Sequence, residues 1–388
     1  MLMPARVDRK AEDTADSAGG RVVAFGPATG GVGGSFSHTV THLAKASQWH
    51  IDVIRLSETG VPLRNAVGAV RVHHRSLKAA DAIHVEFGSN DKTVFWFALL
   101  ATLFSRSVTV VIHDFPLMVN HPAAGFLPET SRWKTRLSYR ILSPAFDGTV
   151  KRMLLRRAGA VTVMSEEARH GWQKYVHGEL VVIPHGEFPL SNRRLPPSEG
   201  TYVLFAGFIG PGKGVALLLE AWRTVGGSCD LELLIAGEQA GTHDPRLETL
   251  RRQAREWSNP PRWVGYVASE EALQSLIARA AVVVLPYRRS SPASGILVRA
   301  MAEGRAIVAT RVPATFRTLR DQLDGLLVPP NDAEILAAKL SEVIRDPDLR
   351  DRLGASAAER ARASFSSDRQ RDVLLSAYQR LQAKSRQF

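Results

Sequence analysis

Three segments of small residues each follow an apolar run and precede a helical pattern. Residues 26–34 are rich in glycine, residues 207–214 surround Lys213 with glycines, and residues 285–295 place arginines before Ser294. Loop amides and helix N-termini of this kind bind phosphate, and a lysine or arginine beside them pairs with its charge. The first segment lacks the G-x-G-x-x-G spacing of dinucleotide sites, and the second lacks the Lys-Ser/Thr ending of a Walker loop. The segments therefore predict an anion site of another class.

Histidines near strand ends are the other candidates for chemistry. His113 ends an apolar run, and His84 and His185 hold comparable positions. Such a histidine acts as an acid or base, or it makes a structural hydrogen bond, and the residues alone leave both open. The histidines lack metal-ligand spacing, and the single cysteine, Cys229, excludes a cysteine cluster and an intrachain disulfide. We therefore predict neither a metal site nor a bound cofactor.

Short apolar runs alternate with helical patterns from residue 21 onward, which predicts parallel sheets with helices on both faces. In the first half, the predicted strands are 21–25, 51–56, 69–73, 82–87, 108–113, 160–164 and 180–184, and a helix is predicted at 35–46. In the second half, the predicted strands are 202–206, 231–236, 262–264, 281–285, 306–309 and 326–328, and the predicted helices are 214–225, 245–256, 269–278, 333–344 and 350–363. The fold class is α/β, with two doubly wound domains that face each other across a cleft.

The predicted organisation consists of a polar tail at 1–20, a first domain at 21–190, a linker at 191–200, a second domain at 201–364 and a C-terminal segment at 365–388. The linker is polar and contains a pair of prolines, as is typical of a boundary. The last segment has the periodicity of a helix with one apolar face, and we expect it to pack back on the first domain. Ligands of open parallel sheets lie beyond the carboxyl ends of the strands, so the chemistry is expected in the loops that line the cleft.

The chain has 388 residues, of which 45% are hydrophobic, and a formal net charge of +12. This composition predicts a globular protein that favours polyanions: nucleotide phosphates, nucleic acid or an anionic membrane. No apolar stretch is long enough to span a membrane and the N-terminus lacks the apolar core of a secretory signal, so we expect a cytoplasmic protein. No nucleic-acid-binding module is recognised.

Residues 132–157 concentrate lysines and arginines among apolar residues. One interpretation is a basic face that meets anionic lipid at the inner membrane surface, and the other is a pair of ordinary solvated helices. The cations that would meet the membrane or the acceptor are Arg132, Lys134, Arg136 and Arg140.

The order of the motifs resembles that of glycosyltransferase family 4, also called glycosyl transferases group 1, whose members have two Rossmann-like domains in the GT-B fold. The resemblance covers nearly everything from residue 21 to about residue 363, and the ordered set carries it rather than any one motif. After the first glycine loop come VIHD at 111–114, VTVMSEEA at 161–168, VVIPHG at 181–186, GFIGPGKGVALLLEAW at 207–222, LLIAGE at 233–238, GYVASEE at 265–271, VVVLPY at 282–287, SGILVRAMAEGRAIVAT at 294–310 and DGLLVPPND at 324–332.

The resemblance implies an enzyme that moves a hexose from a nucleoside-diphosphate sugar to a glycan or lipid-linked glycan, in polysaccharide or glycoconjugate biosynthesis. It also implies transfer without a metal and with retention of anomeric configuration. By this resemblance His113 and Asp114 lie at the catalytic centre. The implied donor-binding residues are Gly30, Gly31, Gly33, Gly34, Gly207, Lys213, Gly214, Glu238, Arg289, Ser294, Gly295, Ile296 and Arg299.

The chain departs from the family pattern at two places. The family usually has an arginine near the positions of Phe208 or Gly210, and a Glu-x7-Glu signature whose second glutamate aligns with Arg299. In the family that glutamate pair commonly contacts the donor. The alternative prediction is therefore a non-catalytic protein of the same fold that binds a nucleotide sugar or a partner enzyme.

Overall fold

A computed structural model describes most of the chain. The described residues are 20–28, 31–46, 48–88, 90–113, 118–119, 122, 137–183, 190–192, 194–239, 244–288 and 294–385. They form two α/β domains, each built around a parallel sheet of six strands.

The first sheet has the strand order β2-β1-β3-β4-β5-β6, and every pairing in it is parallel. Its central strands are buried on both faces, and most of their residues are apolar. The strands are β1 (Arg21–Pro27), β2 (His50–Leu56), β3 (Ala82–Phe87), β4 (Val108–Ile112), β5 (Ala160–Val163) and β6 (Glu179–Val182). The helices are α1 (Gly31–Ala46), α2 (Pro62–Ala79), α3 (Lys92–Phe104), α4 (Leu137–Arg157) and α5 (Glu166–Trp172).

Two predictions for this domain are wrong. Residues 69–73 were predicted as a strand, but they lie within α2, whose buried residues Ala66, Val70 and Leu77 follow a helical spacing. A short apolar run does not distinguish a strand from one turn of a half-buried helix. The helix predicted at 35–46 begins earlier, at Gly31. Its first turns contain several glycines, and because glycine disfavours a helix, sequence reasoning placed the boundary too late.

The second sheet has the order β12-β11-β10-β7-β8-β9, again entirely parallel. Its strands are β7 (Tyr202–Ala206), β8 (Glu232–Ala236), β9 (Arg262–Gly265), β10 (Val282–Leu285), β11 (Ala306–Thr310) and β12 (Leu326–Val328). The helices are α6 (Val215–Val225), α7 (Pro245–Gln253), α8 (Glu270–Ala278), α9 (Gly295–Ala302), α10 (Pro313–Phe316), α11 (Ala333–Arg345), α12 (Pro347–Ser364) and α13 (Ser367–Ser385).

Helix starts in the second domain follow side-chain caps. Ser269, Ser294 and Asp332 each accept a hydrogen bond from a backbone amide of the first turn. Asp346 caps α12 in the same way and Pro347 follows it, so this helix begins three residues before the predicted start at 350.

The last helix, α13, packs on the first domain although it follows the second domain in sequence. Its Leu374 and Tyr378 belong to a buried cluster with Val22 and Val111 from the first sheet. The side chain of Asp368 lies 3.0 Å from Nε2 of His42 in α1. The chain therefore crosses between the domains twice, once at residues 191–200 and once before α13.

Candidate active site between the two domains

A cleft of about 1030 Å³ separates the two domains. One wall is the face of α1, the other is formed by the start of α8 and by α9, and the linker lies between them. The residues that line it are Ser37, His38, Thr41, His42, Lys45, Leu190, Ser191, Asn192, Ser269, Glu270, Glu271, Ala272, Gln274, Ser275 and Arg299.

The loop that follows β7 carries Lys213 to the carboxyl end of the second sheet. Gly214 ends this loop with φ of +72°, and a Cβ at that position would lie 1.8 Å from the carbonyl oxygen of Pro286. Only glycine fits there, because both the backbone angle and the close approach exclude a side chain. The loop is pinned further by a hydrogen bond of 2.9 Å from the Arg288 amide to the Gly212 carbonyl. As a result, Nζ of Lys213 lies 4.4 Å from the centre of the Tyr287 ring.

Helix α9 begins beside this lysine. Ser294 is its N-cap and accepts a hydrogen bond of 3.3 Å from the Leu297 amide, and the Tyr287 hydroxyl lies 3.0 Å from Oγ of Ser294. The amides of Gly295 and Ile296 point out of the first turn, where an α-helix offers no acceptor of its own. Lysine, tyrosine and helix amides thus converge in an arrangement suited to an anion.

Gly207, the other predicted glycine of the loop that follows β7, also lies at a strand end. Gly207 has φ of +125°, and its carbonyl oxygen would lie only 1.9 Å from a Cβ at Gly237 in the neighbouring loop. A Cβ on Gly207 itself would be 3.9 Å from the side chain of Ile296, at the start of α9. Glu238 is exposed, and its carbonyl accepts a hydrogen bond of 2.9 Å from the Ile209 amide.

Arg299 lies in the cleft wall and only 6% of it is exposed. Its guanidinium donates to Oε1 of Gln274 at 3.1 Å and to the carboxylate of Glu270. Burial lowers the pKa of Arg299, and the Glu270 carboxylate opposes this effect. The cation is thus already paired, and it holds a half-exposed carboxylate at the edge of the cleft.

A buried carboxylate connects this wall to the linker. Glu303, at the end of α9, accepts hydrogen bonds of 2.7 Å from the Ser191 amide and from Nε2 of Gln274. Gln274 therefore bridges Arg299 and Glu303 through its two amide atoms. The cleft wall and the linker belong to one hydrogen-bonded network.

His113 directly follows β4 and is 8% exposed. Its Nε2 lies 2.7 Å from Oε1 of Glu86 in the adjacent strand β3. His84 lies two residues before Glu86 in β3, so both side chains point to the same face of the sheet. Nε2 of His84 lies 3.4 Å from Oε2 of Glu86. Burial opposes ionisation of Glu86, but the hydrogen bonds and the Coulombic attraction of His113 and His84 outweigh it and lower the pKa of this carboxyl to about 2. An anionic Glu86 therefore orients both rings.

Glu86 is the residue of this site that sequence reasoning missed. The available signal was the pair of polar residues at alternate positions in the otherwise apolar strand AIHVEF. The partner of Glu86 could not be identified, because the contact depends on which strands are neighbours in the sheet.

Several predicted site residues lie outside the described part of the chain: Gly30, Asp114, Arg289, Arg132, Lys134 and Arg136, as well as His185. Gly31, Gly33 and Gly34 lie in the first turns of α1 and Arg140 lies in α4, where only their backbone positions are described. Within the described residues, no cluster of three or more metal-ligating side chains is found.

Comparison with known proteins matches residues 200–346 to the family model described as glycosyl transferases group 1. The phosphatidyl-myo-inositol mannosyltransferase of Mycolicibacterium smegmatis is 32% identical over 241 residues, which are 60% of this chain and 60% of that protein. The alpha-D-kanosaminyltransferase of Streptomyces kanamyceticus is 24% identical over 318 residues, 77% of each chain. The alignment with the mannosyltransferase thus spans about three fifths of that enzyme.

Solved structures resemble this chain over nearly its full length. A sucrose-phosphate synthase from Thermosynechococcus elongatus superposes with a TM-score of 0.68 at 20% identity and covers 94% of this chain and all of its own. Anabaena HepE in complex with UDP-glucose superposes with a TM-score of 0.64 at 15% identity, over 95% of this chain and all of its own. The resemblance inferred from the motifs is confirmed: residues 200–346 match the glycosyl transferases group 1, and the described chain has the GT-B fold.

Proposed function

We propose that this protein is a glycosyltransferase that moves a hexose from a nucleoside-diphosphate sugar to a hydroxyl of a glycan or lipid-linked glycan. The observation that carries the proposal is the convergence of Lys213, Tyr287 and the start of α9 at the carboxyl end of the second sheet. The relatives support the reaction class, because they are named as mannosyl- and kanosaminyltransferases. The HepE complexes with UDP and UDP-glucose support a nucleotide-sugar donor.

In the proposed reaction the bond between the anomeric carbon and the diphosphate oxygen breaks, and a bond to the acceptor oxygen forms. The acceptor proton leaves to the diphosphate or to solvent. Charge develops on the departing diphosphate, and preorganised donors stabilise it. Lys213 supplies a cation, while the amides of Gly295 and Ile296 supply dipoles, so this proposal assigns no metal to the step.

His113 supplies the contact from the first domain. With Nε2–H directed to Glu86, a neutral His113 ring has Nδ1 as a hydrogen-bond acceptor. We assign His113 to a contact with the transferring sugar or with the acceptor. Glu270 offers a carboxylate at the cleft edge, held there by Arg299, which stands where the family pattern has a glutamate.

Lys213→Ala tests the donor site. The loss of one charge-assisted contact costs about 1.5–3 kcal/mol, which weakens UDP or GDP binding roughly 10- to 150-fold. Isothermal calorimetry measures this loss. The matched control is Lys339→Ala, since Lys339 is a half-exposed lysine on α11 that pairs with Glu342. Equal affinity of the Lys213→Ala and Lys339→Ala proteins for both nucleotides would contradict the assignment.

A turnover assay distinguishes an active glycosyltransferase from a non-catalytic protein that binds a nucleotide sugar. We expect donor hydrolysis and transfer to persist in a chelator. Nucleotide-sugar binding without hydrolysis or transfer would favour the non-catalytic alternative. Activity that stops in the chelator and returns with Mg²⁺ or Mn²⁺ would contradict the metal-independent step.

The acceptor is proposed to lie at an anionic membrane surface of the cytoplasm. The named substrate class of the mannosyltransferase relative is a phospholipid, which supports this proposal. Within the described residues, no helix is long and apolar enough to cross a membrane. We propose that the contact with this surface is peripheral.

Helix α2 offers a described surface of the required charge. It contains no aspartate or glutamate, and its exposed face carries Arg64, Arg71, Arg75 and Lys78. Each such cation contributes roughly 1 kcal/mol near an anionic surface. We expect co-sedimentation with phosphatidylserine vesicles at low salt, weakened in the triple variant Arg71→Gln, Arg75→Gln, Lys78→Gln. Equal binding to neutral phosphatidylcholine vesicles would contradict this electrostatic contact.

A further inference from the structure

Tyr378 extends the hydrogen-bonded network of His113 into the last helix of the chain. Its hydroxyl lies 2.7 Å from Nδ1 of His84, although the two residues are 294 positions apart in sequence. Neither side chain is exposed, and Glu86 is only 1% exposed. The chain reaches Tyr378 only after the second domain is complete, so this contact joins the two ends of the fold.

The directions of the hydrogen bonds follow from the charge at the centre. An ionised Glu86 can only accept, so both histidines direct an Nε2–H toward it. A neutral His84 then has no proton on Nδ1, and the Tyr378 hydroxyl must donate to that atom. Every proton in the series points toward the carboxylate.

The surroundings hold these groups in place. The Phe36 ring stacks on the His84 ring at 6.3 Å between centres, and Trp49 packs against Tyr378 at 5.9 Å. Without the Tyr378 hydroxyl, Nδ1 of His84 would be a buried acceptor that has lost this hydrogen bond. A move of the proton from Nε2 to Nδ1 would then leave a bare nitrogen facing the carboxylate of Glu86.

We infer that Tyr378 is a positioning residue: by donating to His84 it sets the His84 tautomer, and through Glu86 it sets the tautomer and orientation of His113. The effect of Tyr378 on catalysis rests on the proposed glycosyltransferase function, whereas the tautomers of the two histidines do not depend on that function. The last helix thereby completes the first-domain side of the site.

Nitrogen-15 NMR of the histidine rings in the full-length protein tests the inference without any substrate. In the unmodified protein, His84 and His113 should both show the Nε2–H tautomer, with His84→Asn and His113→Asn used only to assign the signals. An Nδ1–H tautomer at either residue would overturn the inference. This arm needs no tyrosine variant, so it stands even if a substitution in α13 prevents folding.

Tyr378→Phe removes only the hydroxyl. We expect the His84 signals to move toward the Nδ1–H tautomer and the His113 signals to shift with them. The matched control is Tyr202→Phe, because the half-buried Tyr202 donates to the Leu276 carbonyl at 2.8 Å in the second domain. Unchanged His84 and His113 signals in folded Tyr378→Phe protein would overturn the inference.

Steady-state kinetics measure the effect of Tyr378 on catalysis. We expect Tyr378→Phe to lower kcat about tenfold with the donor KM nearly unchanged, and Tyr202→Phe to leave both unchanged. A change confined to KM would overturn the positioning role. Absence of turnover in the unmodified protein would refute the proposed function, while the NMR result would still decide the tautomers.

Discussion

Both domains contain a carboxylate that is almost completely buried and accepts hydrogen bonds from two other residues. Glu86 in the first domain accepts from the rings of His84 and His113. Glu303 in the second domain accepts from the Ser191 amide and from Nε2 of Gln274. Glu86 joins its own strand to the end of the neighbouring strand, and Glu303 joins the linker to the cleft wall. The nature of their donors also differs.

This difference determines what each carboxylate controls. Imidazole donors gain, lose or relocate protons, so the charge of Glu86 decides which ring nitrogen carries hydrogen. Amide donors keep their protons at every ordinary pH, so Glu303 acts as a fixed acceptor that ties the linker to the cleft wall. Equal burial therefore does not imply an equal role.

The largest effect is expected for Glu86→Gln. The glutamine amide would present N–H to one ring that also presents N–H, so a buried hydrogen bond is lost or a ring changes tautomer. We expect the free energy of unfolding in urea to fall by about 3 kcal/mol. A loss below about 1 kcal/mol would show that the carboxylate charge is not needed to hold the two histidines.

The pH dependence of stability tests the role of the Glu86 charge directly. The pKa of Glu86 lies at about 2 in the folded protein, below its ordinary value of 4.5. The unfolded chain therefore binds a proton more readily, and the stability from Glu86 is fully present above about pH 4.5 and is lost as the pH falls toward 2. Urea unfolding from pH 6 to pH 3 should decline more steeply for the unmodified protein than for Glu86→Gln. Parallel curves would contradict the lowered pKa.

The smallest effect is expected for Glu303→Gln. Both recorded hydrogen bonds end on Oε1, and a glutamine carbonyl oxygen in that position still accepts them. We expect a loss of about 1 kcal/mol in urea unfolding. A loss equal to that of Glu86→Gln would contradict this difference, and it would show that the charge of Glu303 stabilises the buried Arg305 guanidinium. Burial lowers the pKa of Arg305 to about 10, and the charge of Glu303 opposes this effect.

The parts of the proposed anion site could be predicted from the sequence because they are local. Lys213 and its glycines are consecutive, and Ser294 precedes the helix that it caps, so spacing alone indicates a loop, a cation and a helix start. Residues 69–73 were mispredicted because apolar residues on half-buried α2 form a short run that fits either period. No sequence pattern identified Glu270 as a site residue, because its place beside Arg299 depends on how α8 packs against α9.

Periodicity and residues adjacent in the chain are sufficient to predict the alternation of strands and helices, the two domains and the loops that could bind a phosphate. The folded chain is needed to show that Glu86 lies between two histidines, that Arg299 is paired with Glu270 and that Tyr378 contacts His84. Those contacts depend on strand order and on α13 returning to the first domain. A hydrogen bond across 294 residues leaves no local pattern, because burial and proximity arise only when the chain is folded.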